Sequence, residues 1–100
     1  MSDAAFIARN QILNALARHS RGVDRGDVAL LASAYHPGAT VDYGFFVGEA
    51  ERFAAILGTA QKGAPPSLHR TCNTETRVAG DRATSESYVI AYAEEPDVQR

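Results

Sequence analysis

The stretch SLHRTCNTETRVAGDRATSESYVIAYAE, residues 67–94, decides the fold class of this chain. Residues 67–78 and 82–94 are rich in Thr, Val, Tyr and Ile, which favour strands, and AGDR at 79–82 is typical of a hairpin turn. Patterns typical of helices precede this hairpin, and helices followed by an antiparallel sheet indicate an α+β domain. We therefore predict one α+β domain that spans residues 1–100.

Two helices are predicted at the start of the chain. Ser2 or Asp3 can cap the first helix, whose apolar residues recur at three- and four-residue steps until the helix ends near Gly22. Asp27 then caps a second, short helix that runs to about Tyr35, where the HPG sequence ends it. The two helices each offer one apolar stripe to a common core.

A short strand region and a third helix separate these helices from the long hairpin. The segment ATVDYGFFVG at 39–48 predicts a short hairpin or a bent strand. Residues 49–61 predict a helix with glutamates at its positive N-terminal end, and KGAPP at 62–66 ends it. The predicted order is two helices, one or two short strands, a helix and two long strands.

Composition and charge narrow the classes of partner. The net charge is −2 and no basic run occurs, so we expect neither a nucleic acid nor a membrane surface as partner. No apolar run approaches the roughly 18 residues that a membrane helix needs. Cys72 is the single cysteine of the sequence, which excludes an intrachain disulfide and predicts a cytoplasmic location.

His69 lies on a polar face of the predicted strand 67–78. Alternate residues share a face of a strand, and here they are His69, Thr71, Asn73 and Glu75. This face fits a solvated sheet surface and the wall of a polar pocket equally well. His69 and Asn73 are about 13 Å apart along an extended strand. We therefore expect Asn73 to contact a distal part of a ligand and to have no part in the chemistry at His69.

Asp24 also has two interpretations. It lies in RGVDRGDVALL, between the first two helices, where an aspartate commonly caps a turn. Alternatively, its carboxylate points into the domain and orients a histidine.

Aromatic side chains supply the apolar half of a candidate pocket. They are Tyr35, Tyr43, Phe45, Phe46, Phe53, Tyr88 and Tyr92. A hydrophobic core explains such residues too, but a tyrosine hydroxyl needs a hydrogen-bond partner when it is buried. We take Tyr43, Phe53 and Tyr88 as candidate substrate contacts. The histidines lack metal-ligand spacing, and no phosphate-binding or dinucleotide motif occurs, so neither a metal nor a cofactor is expected.

Three segments together resemble the SnoaL-like branch of the nuclear-transport-factor-2-like superfamily. They are ALARHSRGVDRGDVALLASAYHPGATVDYG at 15–44, FVGEAERFAAIL at 46–57 and LHRTCNTETRVAGDRATSESYVIAYA at 68–93. The branch includes polyketide cyclases, scytalone dehydratase and hexachlorocyclohexane dehydrochlorinase. The resemblance implies a cone: a curved antiparallel sheet wrapped around the N-terminal helices, with a pocket inside.

The resemblance also implies an activity. In its dehydratase-type members an aspartate at the end of the first helix hydrogen-bonds a histidine that acts as general base, and Asp24 and His69 match these positions. This implies a cofactor-independent lyase or isomerase, such as a dehydratase, isomerase or cyclase. The aromatic residues, and not the resemblance, favour an apolar, ring-containing substrate. The first helix has no lysine, which does not support dehydrochlorination, and residues 82–94 lack the second histidine of scytalone dehydratase.

The family usually continues for two more long strands, whereas this sequence stops at Arg100. We expect either that the chain is a C-terminally short fragment, or that a partner chain completes the sheet, which predicts a homodimer. A second function remains open on the same fold. It is a non-catalytic binding or assembly module, like the small subunits of ring-hydroxylating dioxygenases.

Overall fold

The structure, a computed structural model, describes residues 2–94. Its elements are α1 (Asp3–Arg25), α2 (Val28–Ala32), β1 (Thr40–Asp42), β2 (Val47–Glu49), α3 (Ala50–Lys62), β3 (Ser67–Ala79) and β4 (Arg82–Ala93). Strand β1 pairs with β2, and β3 pairs with β4, each antiparallel. The predicted α+β class and the predicted order of elements are confirmed. The strands that the family resemblance adds after β4 lie outside the described residues.

Helix α1 ends later than its sequence predicts. Ser2 caps it, but the helix continues past Gly22 to Arg25 and ends at Gly26, whose φ of 61° is the left-handed conformation that glycine favours. Gly22 is required for close packing and not for ending the helix, because a Cβ there would lie 2.6 Å from the backbone nitrogen of Leu31. Gly22 therefore lets α2 approach α1 closely. The prediction that α1 ends near Gly22 was wrong, and Asp24 lies in the last helical turn.

Helix α2 is shorter than predicted. Asp27 caps it as expected, with its side chain accepting from the Leu30 N–H at 3.0 Å. The helix ends at Ala32, not near Tyr35, because the hydroxyl of Ser33 donates to the Leu30 carbonyl at 2.6 Å and the backbone tightens into turns. Tyr35 is thereby placed in a turn that faces the body of the domain.

The two hairpins follow the predicted pattern closely. The segment predicted as a hairpin or bent strand is a hairpin, with Val41 opposite Gly48. The long hairpin turns at Gly80, whose φ of 61° gives the positive value that a tight hairpin turn needs. Helix α1 packs along β3, as expected of helices inside a curved sheet.

A β-bulge divides β3 into two halves. The pairing register shifts between Cys72 and Glu75, and Asn73 has a φ of 47°. The half-buried side chains on the helix side are therefore Ser67, His69 and Thr71, then Thr74, Thr76 and Val78. The prediction that Asn73 and Glu75 share the face of His69 was wrong, because one extra residue reverses the alternation.

The buried core lies where α1, α2 and α3 meet. Its buried side chains are Val23, Leu31, Ala50, Phe53 and Ala54. The β3–β4 hairpin extends beyond this core, and most of β4 is exposed. Asp24 adjoins the core because it directly follows Val23 in α1. Among the described residues, none of the helices combines the length and the apolar character needed to cross a bilayer.

Candidate active site

The last turn of α1 holds Asp24 against the start of β3. The Oδ1 atom of Asp24 lies 2.5 Å from Nδ1 of His69, and its Oδ2 atom accepts the backbone N–H of His69 at 2.9 Å. The hydroxyl of Ser67 donates to Oδ1 at 3.0 Å. The amide of Gln61, from α3, donates to Ser67 Oγ at 3.0 Å. One carboxylate thus holds both the backbone and the ring of His69.

This arrangement fixes the tautomer of His69. An ionised carboxylate only accepts hydrogen bonds, so the proton of a neutral His69 ring lies on Nδ1. Within residues 2–94, Nε2 of His69 has no hydrogen-bond partner, and it carries a lone pair in this tautomer. The ring is therefore arranged to accept a proton at Nε2.

Asp24 has the charge that this role requires. Partial burial raises the pKa of Asp24, but the hydrogen bonds from the backbone and ring of His69 and from Ser67 outweigh burial. The net pKa lies below the ordinary value of 3.8. The lowered pKa means that the carboxylate is ionised at neutral pH. Its side chain is 16% exposed and therefore largely shielded from water. It can stabilise a positive charge on the neighbouring ring.

His69 lines a cavity of about 700 Å³ between α1, α3 and the strands. Most of the wall is apolar or aromatic, and includes Ile12, Leu16, Val23, Phe45, Phe53, Leu57 and Val89. Sites for small molecules usually combine such walls with a few polar groups. We call this space the inner cavity.

A second polar group lies in the wall of the inner cavity. Nε2 of His19 lies 2.8 Å from the hydroxyl of Tyr43, and that hydroxyl lies 2.9 Å from the hydroxyl of Tyr35. The Tyr43 ring stacks on Phe53 with the centroids 4.2 Å apart and the planes 4° from parallel. The stacking and the hydrogen bonds together hold the Tyr43 hydroxyl in place at the cavity wall.

Burial keeps this second group uncharged. It lowers the pKa of His19 below the ordinary value of 6.5, and the nearby ring of His69 lowers it further. Burial also raises the pKa of Tyr35 well above 10, and its hydrogen bond to Tyr43 adds to that rise. Both shifts favour the neutral forms of His19 and Tyr35 near neutral pH.

Comparison with protein families identifies the domain. The family model described as a SnoaL-like domain matches residues 5–99. The chain belongs to the SnoaL-like family. Members of this family bind small molecules, and many are enzymes that need no cofactor. No curated protein and no solved structure matches the chain.

The SnoaL-like domain brings four of the six predicted site residues together. Tyr43 and Phe53 line the inner cavity with His69, and Asp24 lies behind the His69 ring. The other two predicted residues, Asn73 and Tyr88, do not line this cavity. The hydrogen-bonded pair Asp24 and His69 and the aromatic wall therefore adjoin one space.

Asn73 lies in the β-bulge and is exposed on the side of β3 that faces away from the helices. Tyr88 is 72% exposed and pairs with Cys72, while its neighbours Ser87 and Val89 face the inner cavity. Strand alternation put Tyr88 on one face but could not tell the inner face from the outer one. Neither residue contacts the inner cavity of this SnoaL-like domain.

His19 was not predicted as a site residue, and Tyr35 was named among the aromatic residues of the candidate pocket but not among the substrate contacts. A signal for His19 exists, because it lies three residues after Leu16 and four before Val23, on the apolar stripe of α1. A polar residue in such a stripe faces the interior of the domain. Tyr35 carries no comparable signal, since its position depends on where α2 ends.

As for metals, the described part of the SnoaL-like domain contains no group of three or more His, Cys, Asp or Glu side chains that could hold an ion.

Proposed function

We propose that this SnoaL-like domain is a cofactor-independent acid–base enzyme of the lyase or isomerase type, with His69 as its general base. The observation that supports this most directly is the position of the His69 ring. Nδ1 contacts the Asp24 carboxylate at 2.5 Å, while the same ring lines an apolar cavity large enough for a ring-containing molecule.

In the proposed reaction, Nε2 of His69 removes a proton from a carbon next to a carbonyl or a leaving group. Asp24 stabilises the imidazolium that forms, and does not itself take up the proton. The resulting anion then expels a leaving group that takes the proton from His69, accepts that proton at another carbon, or attacks an electrophilic carbon of the same molecule to close a ring. A general base in such a position contributes on the order of 10²–10⁴-fold in rate.

Tyr43 and Phe53 are the proposed substrate contacts. The Tyr43 hydroxyl is held by His19 and Tyr35, and when both donate to its oxygen, its own O–H is free. It can donate to a substrate oxygen on which negative charge develops. Phe53 is buried and stacked against Tyr43, so it holds the plane of the more exposed Tyr43 ring, which forms an aromatic part of the cavity wall.

Proton exchange tests the proposal because it measures the first step of the reaction, whichever product follows. β-Tetralone is a ring-fused ketone with acidic protons next to its carbonyl, and its exchange in D₂O is followed by NMR. We expect the wild-type domain to accelerate exchange and the His69→Gln variant to lose a factor on the order of 10²–10⁴.

Asn14→Ala is a suitable control for this experiment. Asn14 is exposed on α1 and lines neither the inner cavity nor the space around Asp24. Its exchange rate should equal that of the wild type. Equal rates in the wild type and in His69→Gln would contradict the general-base role, provided that both proteins melt cooperatively.

A second candidate function is a non-catalytic assembly module that pairs with a second copy of the chain. The observation in its favour is the outer face of the β3–β4 hairpin, which exposes the large side chains Leu68, Tyr88, Ile90 and Tyr92. Exposed apolar patches of this kind mark interaction surfaces. Tyr88 would then contact a partner, not a ligand.

Sedimentation tests this second candidate. We expect the wild type to sediment as a dimer at micromolar concentration, and Tyr88→Glu to sediment as a monomer because a charge on the outer face opposes its burial. Asp81→Asn, at the exposed turn of the hairpin, is the control. A monomeric wild type would rule out the dimer.

A further inference from the structure

A second cavity, of about 620 Å³, adjoins the inner cavity. The side chains of Ile12, Ala15, Ala34 and Tyr35 line both spaces. We call the second space the outer cavity. Its lining is more polar, and it is formed where α1 and the turn after α2 face the tip of the β3–β4 hairpin.

The residues that line the outer cavity carry a net positive charge. Arg18 comes from α1 and Arg82 from the first position of β4, and Asp81 is the one acid among the lining residues. Neither arginine forms an ion pair with any residue between 2 and 94. His36 also lines the cavity, and with histidine counted as neutral the two guanidinium groups and one carboxylate leave one positive charge, although the whole chain has a net charge of −2 on the same count.

Arg18 uses one of its five N–H donors within the described residues. Its Nη2 donates to the backbone carbonyl of Ser33 at 3.3 Å, and this is its one hydrogen bond within the described residues. A guanidinium has five N–H donors in a planar fork that matches the two oxygens of a carboxylate. Most of these donors remain available in the outer cavity.

We propose that the outer cavity binds a carboxylate group of the ligand through Arg18 and Arg82, while the apolar part of the same ligand occupies the inner cavity. This inference rests on the proposed function only in placing the ring of the ligand in the inner cavity. A single carboxylate balances the single excess positive charge. The substrate class becomes an apolar ring that carries an acidic side arm.

A matched pair of probes tests the proposal. Phenylbutyrate and phenylbutanamide share a ring and a chain, and only the first has a negative charge. We expect calorimetry to show that phenylbutyrate binds the wild type about tenfold more tightly, the size of one hydrogen bond to a charged group. Because the arginines are partly exposed, added salt should reduce the preference.

Charge-removing variants locate the effect. Arg18→Gln and Arg82→Gln should each lower the affinity for phenylbutyrate and leave that for phenylbutanamide unchanged. Arg52→Gln makes the same charge change on an exposed residue of α3 that lines neither cavity, and it should keep the full preference. Arg82 has no side-chain hydrogen bond or ion pair within residues 2–94, so its variant remains informative if Arg18→Gln is unstable.

Three results would overturn the inference, and they differ in what else they affect. Equal affinity of both probes for the wild type removes the carboxylate site but leaves the inner cavity as a binding site. A preference that survives both arginine changes places the carboxylate elsewhere. Failure of both probes to bind contradicts this inference together with the proposed ligand site in the inner cavity.

Discussion

The two histidines of the inner cavity differ in what surrounds them. His69 contacts an ionised carboxylate that is held in place by Ser67, whereas His19 contacts the neutral hydroxyl of Tyr43. Burial lowers the pKa of His19, and the neighbouring His69 lowers it further. One imidazole faces an ionised carboxylate, and the other lies where burial disfavours a positive charge.

These surroundings separate two tasks within one small cavity. A group that takes up a proton needs an opposite charge close by, and Asp24 supplies one to His69. Burial lowers the pKa of His19, which lies beside the Tyr43 hydroxyl. The sequence alone does not distinguish the two histidines. Their different surroundings support the different roles that we propose for them.

The strongest change should come from removing the charge next to His69. In Asp24→Asn the amide can donate to Nδ1, which favours the tautomer with its proton on Nε2. We expect the exchange rate of β-tetralone to fall by on the order of 10²–10⁴-fold, with little change in the affinity of the inner cavity.

The control for Asp24→Asn is Asp3→Asn, an exposed aspartate in the first turn of the same helix. It should keep the wild-type rate. Separate values of kcat and KM distinguish the proposed positioning role from simple loss of binding, because only kcat should fall. If Asp24→Asn exchanges protons as fast as the wild type, His69 does not depend on the carboxylate.

A weaker effect should appear in the acid stability of the fold. The pKa of Asp24 lies below its ordinary value of 3.8 in the folded domain. Such a carboxyl stabilises the fold above the unfolded pKa and loses this contribution as the pH falls through the folded pKa. The melting temperature of the wild type should therefore decrease as the pH is lowered below 3.8.

Asp24→Asn isolates the part of this decrease that belongs to Asp24. The variant has no group that titrates at this position, so its melting temperature should fall less over the same pH interval. Asp3→Asn should follow the wild type, since no pair of hydrogen bonds from β3 depends on Asp3. Parallel curves for the wild type and Asp24→Asn would contradict the assigned shift in pKa.

The long hairpin contains one feature that the sequence predicts, the pairing of β3 with β4, and one that it does not, the bulge in β3. Their composition and the turn at Gly80 predict the hairpin correctly. The bulge at Asn73 was not predictable in the same way, because it depends on one backbone angle, and a shift of one residue moves every later side chain to the opposite face. Because of this bulge Asn73 does not line the inner cavity, although strict alternation along β3 predicts that it shares the face of His69.

The contact between Asp24 and His69 is a second feature that the residues alone do not predict. The two residues are 45 positions apart, and each alone fits a common structural role. Only the family resemblance joined them before the structure did.

The end of α1 was misjudged because Gly22 and Gly26 both fit a helix end, and close packing against Leu31 decides between them. The cytoplasmic location and the dimer stay predictions.

The weakest effect links the two histidines directly. Because positive charge on His69 disfavours positive charge on His19, removal of the His69 ring should raise the pKa of His19 towards 6.5. Burial, the larger cause, persists in His69→Gln, so the pKa should stay below that value. NMR titration of the His19 ring protons measures both, with Asn14→Ala as the control. An unchanged pKa of His19 would show that the two rings do not interact and that burial alone lowers this pKa, and a further decrease would contradict the assigned repulsion.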